Sequence, residues 1–233
     1  MACSPGQSER PWPPAVFVHG HCCSSRHWAE ARARLGEHTR LELLSLPGHD
    51  DVPLPSDRPL DIAACAEHVL RETAALHGPV LVGHSLGGMI GMQCLLDRPD
   101  AFSALVLVDA FPSLGMPEPF TRSYWEGSPP TLKARIVRQM MDRRKRLPAT
   151  LWESIVAFDA RPDLARLAAP VRGIYGDRGE VDHAVLAKSL REFGLGAIPD
   201  LEIHTVEQAG HFVMLEQPEA FYACLAGVLS RLP

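Results

Sequence analysis

Gly83-His84-Ser85-Leu86-Gly87 sets a serine between two glycines, with Gly88 directly after. A hydroxyl is a weak nucleophile at neutral pH and needs a neighbouring base. The spacing by itself arises by chance in many chains. Here it follows an apolar run, Pro79-Val80-Leu81-Val82, and opens a helical pattern from Leu86 to Leu96. Strand, sharp turn and helix in that order make a nucleophile elbow, in which small residues must flank the serine. The helix N-terminus behind Ser85 favours negative charge there. The candidate base is His211, in Gly210-His211-Phe212, a few residues beyond the apolar run Leu201 to Val206. A tetrahedral acyl-transfer intermediate also needs two N–H donors for its oxyanion. Leu86, next after the serine, is expected to give one. His21, in the loop His19-Gly20-His21-Cys22-Cys23, is expected to give the other, through its main chain.

Six short apolar runs position these residues: Ala15 to Val18, Leu41 to Leu46, Pro79 to Val82, Ala104 to Val108, Val171 to Tyr175 and Leu201 to Val206. Most stop at Gly or Asp, as buried parallel strands do. Helical patterns lie between them: Ile62 to Leu76 with Asp61 as N-cap, Leu86 to Leu96, Val185 to Phe193 and Pro218 to Leu232. This alternation predicts an α/β domain with a mostly parallel sheet of about six strands flanked by helices. Ligands in such sheets bind beyond the carboxyl ends of the strands. The segment from Phe111 to Ala169 breaks the alternation with a cluster of prolines, then a helical stretch from Thr131 to Leu147, then Trp152 to Phe158. The expected organisation is therefore a core of residues 1–110 and 170–233, with 111–169 as a helical lid.

Composition narrows the field. The chain has 233 residues, 46% hydrophobic and 22% charged, and a net charge of −5. These proportions are those of an ordinary globular protein. Nucleic-acid binding needs a dominant basic surface, which the totals do not offer. No apolar run reaches the length of a membrane span, and Met1 to Pro14 contains no apolar core of a secretory signal. The six cysteines form no Cys-x-x-Cys pair and no Cys/His zinc spacing. Reduced thiols and a cytoplasmic location are expected, with no metal or organic cofactor.

With these pieces in place, the chain resembles the α/β-hydrolase superfamily. The resemblance rests on Phe17-Val18-His19-Gly20 with Trp28 nearby, Leu46-Pro47-Gly48-His49, Gly83-His84-Ser85-Leu86-Gly87-Gly88, and Gly210-His211-Phe212 followed by Glu216-Gln217-Pro218-Glu219. It implies a catalytic triad of Ser85, His211 and an acid. In most of the superfamily the acid lies three residues beyond a Gly after the fifth strand. That Gly is Gly176 here, and Gly179 stands where the carboxylate is usual. Asp177, Glu180 and Asp182 are near but displaced. Certain branches, among them some haloalkane dehalogenases and related luciferases, carry the acid at the preceding strand end, where this chain has Asp109. Asp109 is the favoured acid, with Asp177 and Glu180 as alternatives. Dehalogenases and epoxide hydrolases of this fold need a carboxylate nucleophile, so the hydroxyl of Ser85 points away from their reactions.

The stretch 131–147 carries seven basic residues against a single acid, Asp142, so the remainder is more acidic than the overall charge suggests. This helix reads as a solvated face or as an anion-attracting rim. Phe111, Trp125 and Phe212 are expected to line a substrate pocket. The expected activity is hydrolysis of a small-molecule carboxylic ester or thioester through an acyl-enzyme on Ser85. The alternatives are the same triad used for C–C hydrolysis, lyase or lactonisation chemistry, and a ligand-binding protein on a hydrolase scaffold.

Overall fold

The computed structural model describes residues 11–118, 120–121 and 130–233. Six strands form one sheet: β1 (Ala15–Val18), β2 (Leu41–Leu44), β3 (Val80–His84), β4 (Ala104–Val108), β5 (Val171–Gly176) and β6 (Leu201–Val206). Their order is β2-β1-β3-β4-β5-β6, and every neighbouring pair is parallel. The strand positions expected from the apolar runs hold to within two residues at each end.

Side chains alternate across a strand, and here both faces are covered. Val16, Val18, Leu81, Leu105 and Leu107 pack on one face, with α2 (Ile62–Thr73) and α3 (Leu86–Asp97). Phe17, Val80, Val82, Val106 and Val108 pack on the other, with α1 (Ala29–Leu35) and the C-terminal helix Pro218–Leu229. Burial on both sides explains why the strands read as continuous apolar runs. Asp61 caps α2 by accepting the Ala64 N–H at 2.7 Å, as its type and place lead one to expect.

Between β4 and β5 come α4 (Pro130–Arg144), α5 (Ala149–Ala157) and a 3-10 turn, Arg161–Arg166. Proline at the start of α4 has no N–H to leave unsatisfied. Thr150 Oγ1 donates to Leu60 O at 2.7 Å, and the Ile62 N–H donates to Ser154 Oγ at 3.1 Å, fastening α5 to α2. After β5 comes α6 (His183–Glu192). After β6 come a single turn, α7 (Val213–Glu216), and α8 (Pro218–Leu229). No helix among the described residues is long and apolar enough to cross a membrane.

Candidate active site

The register sets Val18 beside Gly83, His84 beside Val108, and Val108 beside Ile174. The strands therefore end together, and the residues that follow emerge on one edge. Ser85 sits at φ 52°, a strained conformation for a residue with a Cβ. Its N–H still donates to Val108 O at 3.1 Å, so the ladder runs right up to the turn. Only glycine fits on either side. A Cβ on Gly83 would strike the Gly87 carbonyl, and one on Gly87 would strike the Val18 carbonyl.

Asp109 repeats the device one strand over. It sits at φ 44°, and its N–H donates to Ile174 O at 2.9 Å. Its carboxylate is fully buried and accepts three hydrogen bonds. His211 Nδ1 donates to Oδ2 at 2.6 Å, and Arg178 donates to Oδ1 and Oδ2 at 2.8 and 2.6 Å. Burial alone would raise the Asp109 pKa; the Arg178 charge, and then the His211 contact, outweigh it and hold the carboxyl at about 2. The guanidinium also lies over the Phe120 ring at 4.8 Å.

The histidine loop is held from below. The Glu216 carboxylate accepts the Gly210 N–H at 3.1 Å and the Phe212 N–H at 2.9 Å, one residue either side of His211. His84 Nε2 donates to His211 O at 3.0 Å, which places the His84 proton on Nε2. Burial, then the neighbouring His211, keeps the His84 pKa well below the usual imidazole value, so that ring is neutral. On the opposite side, His19 ties the Gly20 loop to the end of β2. Its Nδ1 donates to Gly20 O at 2.9 Å and its Nε2 accepts the Leu46 N–H at 3.2 Å.

Ser85, His211, His21, Leu86 and Phe212 all line one cavity of about 330 Å³. That is the size of a small ligand site. Its remaining walls are largely apolar, with Met89, Met140, Met141 and Ile155 among them. Cys22 and Cys23 also border it, but burial pushes their thiols up to about 11 and about 12. They are protonated at neutral pH and are poor rivals to the serine. Among the described residues, no group of three or more His, Cys, Asp or Glu side chains is gathered to hold a metal ion.

The alpha/beta hydrolase family profile matches residues 15–223. The chain belongs to that family. Among its hydrolase-family relatives is RutD of Klebsiella pneumoniae (strain 342), described as a carbamate hydrolase. It is 37% identical over 48% of this chain and 43% of its own length. The chain thus spans less than half of that relative. The 2-succinyl-6-hydroxy-2,4-cyclohexadiene-1-carboxylate synthase of Enterobacter sp. (strain 638) is 27% identical over 96% of this chain and 93% of its own. The pimeloyl-[acyl-carrier protein] methyl ester esterase of Nitrosospira multiformis is 24% identical over 91% and 92%.

Set against the hydrolase-family pattern, two expectations shift. Phe111 does not line the cavity. It is buried among Phe120, Tyr175 and Phe193, with ring centroids 5.4, 5.6 and 6.4 Å away, because the chain leaving β4 turns this side chain down into the core. Asp182 is the N-cap of α6 and accepts the Ala184 N–H at 2.9 Å. Asp177 accepts the Gly179 N–H at 3.0 Å, and Glu180 accepts the Asp182 N–H at 3.2 Å, so both take part in building their own turn. Trp125 lies outside the described residues. Sequence reasoning missed Arg178 and the role of Glu216. The only signal for Arg178 was a cation beside the position where an acid is usual.

Proposed function

We propose that the protein is a serine hydrolase acting on a carboxylic ester or thioester. The observation that carries this reading is the 2.6 Å contact from Asp109 to His211, whose ring shares a cavity with Ser85. Asp109 fixes the proton of His211 on Nδ1, so that Nε2 is the nitrogen that acts as base. His211 takes the Ser85 proton as Oγ attacks the carbonyl carbon. The N–H groups of Leu86 and His21 stabilise the oxyanion, His211 protonates the leaving group, and water then releases the acyl group. Residues 111–169, carrying α4 and α5, serve as the lid. The described cysteines 22, 23, 65, 94 and 224 are free, in keeping with a cytoplasmic setting.

The methyl ester esterase, alike over nearly the whole chain, supports the ester reading. Ser85→Ala is expected to reduce kcat on p-nitrophenyl esters by several orders of magnitude and to abolish labelling by a fluorophosphonate probe. Undiminished turnover in Ser85→Ala would sink the mechanism. A second reading, the same side chains making or breaking a bond other than an ester, is favoured by the likeness to the synthase. It is distinguished by its products and by the failure to trap an acyl group on Ser85. The non-catalytic reading drew on Gly179 at the usual acid position, and the Asp109 contact weighs against it.

A further inference from the structure

One wall of the cavity runs from the nucleophile to a cation. A Cβ on Gly20 would lie 3.2 Å from Ser85 Cβ, so the loop bearing His21 abuts the serine. The His21 ring stands 5.6 Å from the Trp152 ring. The Arg144 guanidinium stands 5.4 Å from the centre of that same indole. Gly20, His21, Trp152 and Arg144 all line the cavity, and no Asp or Glu is among its described lining residues. Burial, then His49 and Arg144, takes the His21 pKa down to about 4, so that ring is uncharged at neutral pH. Arg144 is a permanent charge.

The neighbouring cations are engaged elsewhere. Arg143 faces Asp50 at 3.6 Å and donates to Cys22 O at 3.5 Å, while Lys145 faces Asp142 at 3.8 Å. Arg144 has no carboxylate within ion-pair distance among the described residues, and the indole is its partner. Such a contact steadies a guanidinium without consuming the N–H donors that pair with a carboxylate. Met89, Met140, Met141 and Ile155 line the same cavity as Arg144 and Ser85 and give it an apolar wall against which a hydrocarbon spacer can lie.

We propose that Arg144 selects substrates that bear a free carboxylate, separated by an apolar spacer from the ester or thioester cleaved at Ser85. This rests on the hydrolase reading and names its substrate class. The test uses two matched pairs of esters. In the first the charge is on the acyl side: the mono-p-nitrophenyl ester of adipic acid against p-nitrophenyl hexanoate. In the second it is on the leaving group: the hexanoyl ester of 4-hydroxybenzoate against phenyl hexanoate. The wild type is expected to show a higher kcat/KM for the anionic member of one pair, and that pair tells which side carries the charge. Arg144→Gln is expected to lower this anionic-to-neutral ratio about tenfold, the effect of one charge-assisted contact. Arg144→Lys should keep part of it. Lys145→Gln, one residue past the end of α4 and not among the residues that line the cavity, should leave the ratio at its wild-type value. Added salt should lower the wild-type ratio, since the cation is exposed. Turnover of all four esters without discrimination, or an equal loss of ratio in Lys145→Gln, overturns this inference alone. Turnover of none, with Ser85 unlabelled, overturns the hydrolase reading and the inference with it.

Discussion

After β4 the chain turns at Asp109, whose N–H donates to Ile174 O; after β5 it turns through Asp177, whose N–H donates to Val206 O at 3.0 Å, and Arg178. Each turn holds a non-glycine residue at positive φ, Asp109 at 44° and Arg178 at 52°. The backbones are alike, but the buried charges are opposite. One turn sends a carboxylate under His211, and the other sends a guanidinium under that carboxylate, with both side chains sealed from solvent. An isolated carboxylate cannot be buried cheaply. A carboxylate buried at the earlier strand end therefore leaves the later one a different task, which is to neutralise it. Asp177 and Glu180 stay beside that turn as its hydrogen-bonding groups.

The largest test of this exchange is Asp109→Asn. If the turn after β4 supplies the acid, kcat should fall on the order of 10⁴-fold, because the amide can present the wrong hydrogen-bonding partner to His211. Steady-state kinetics on folded protein reads it, and near-normal kcat would hand the role to the other turn. Arg178→Met comes next. It strands a buried charge and should cost about 3–5 kcal/mol in denaturant unfolding. It should also change the acid stability. In the wild type the Asp109 pKa is depressed to about 2, against about 3.9 when unfolded. Its stabilising contribution is present above pH about 4 and is lost as the pH falls towards 2. Without Arg178 burial is less opposed and the folded pKa moves up towards the unfolded value, so this acid-dependent loss should shrink, and melting measured between pH 2 and 6 would show a flatter profile. The smallest effects belong to the carboxylates of the turn after β5. Asp182→Ala should cost about 1 kcal/mol through the lost α6 cap, with kcat kept, and Asp177→Asn should leave kcat close to wild type. A collapse of kcat in Asp177→Asn would undo the comparison.

What was legible in the sequence is what is local. Gly83 to Gly88 and the apolar run before it lie within one strand–turn–helix unit, and that unit forms as its spacing dictates. The six strands were legible because each is buried on both faces. The arginine-rich helix α1 was missed, since it is short and buries only Ala31 and Leu35. Which carboxylate meets His211 stayed open because that meeting is defined through space. Asp109 and His211 are 102 residues apart, and Asp109 and Arg178 are 69 apart. No local pattern says which strand end faces the imidazole. Phe111 was misplaced for a related reason, since an aromatic after a strand can turn to the cavity or to the core, and its neighbours in space decide which.

Glu216 couples the histidine to the fold from below. One carboxylate on a single helical turn holds the peptide N–H groups on both sides of His211. His211, Phe212, Val213 and Met214 are buried as well, so this turn is part of the core and no flap laid over it. The imidazole is thus aimed by packing as much as by its hydrogen bonds, and whatever disturbs that one carboxylate would reach it from both sides at once.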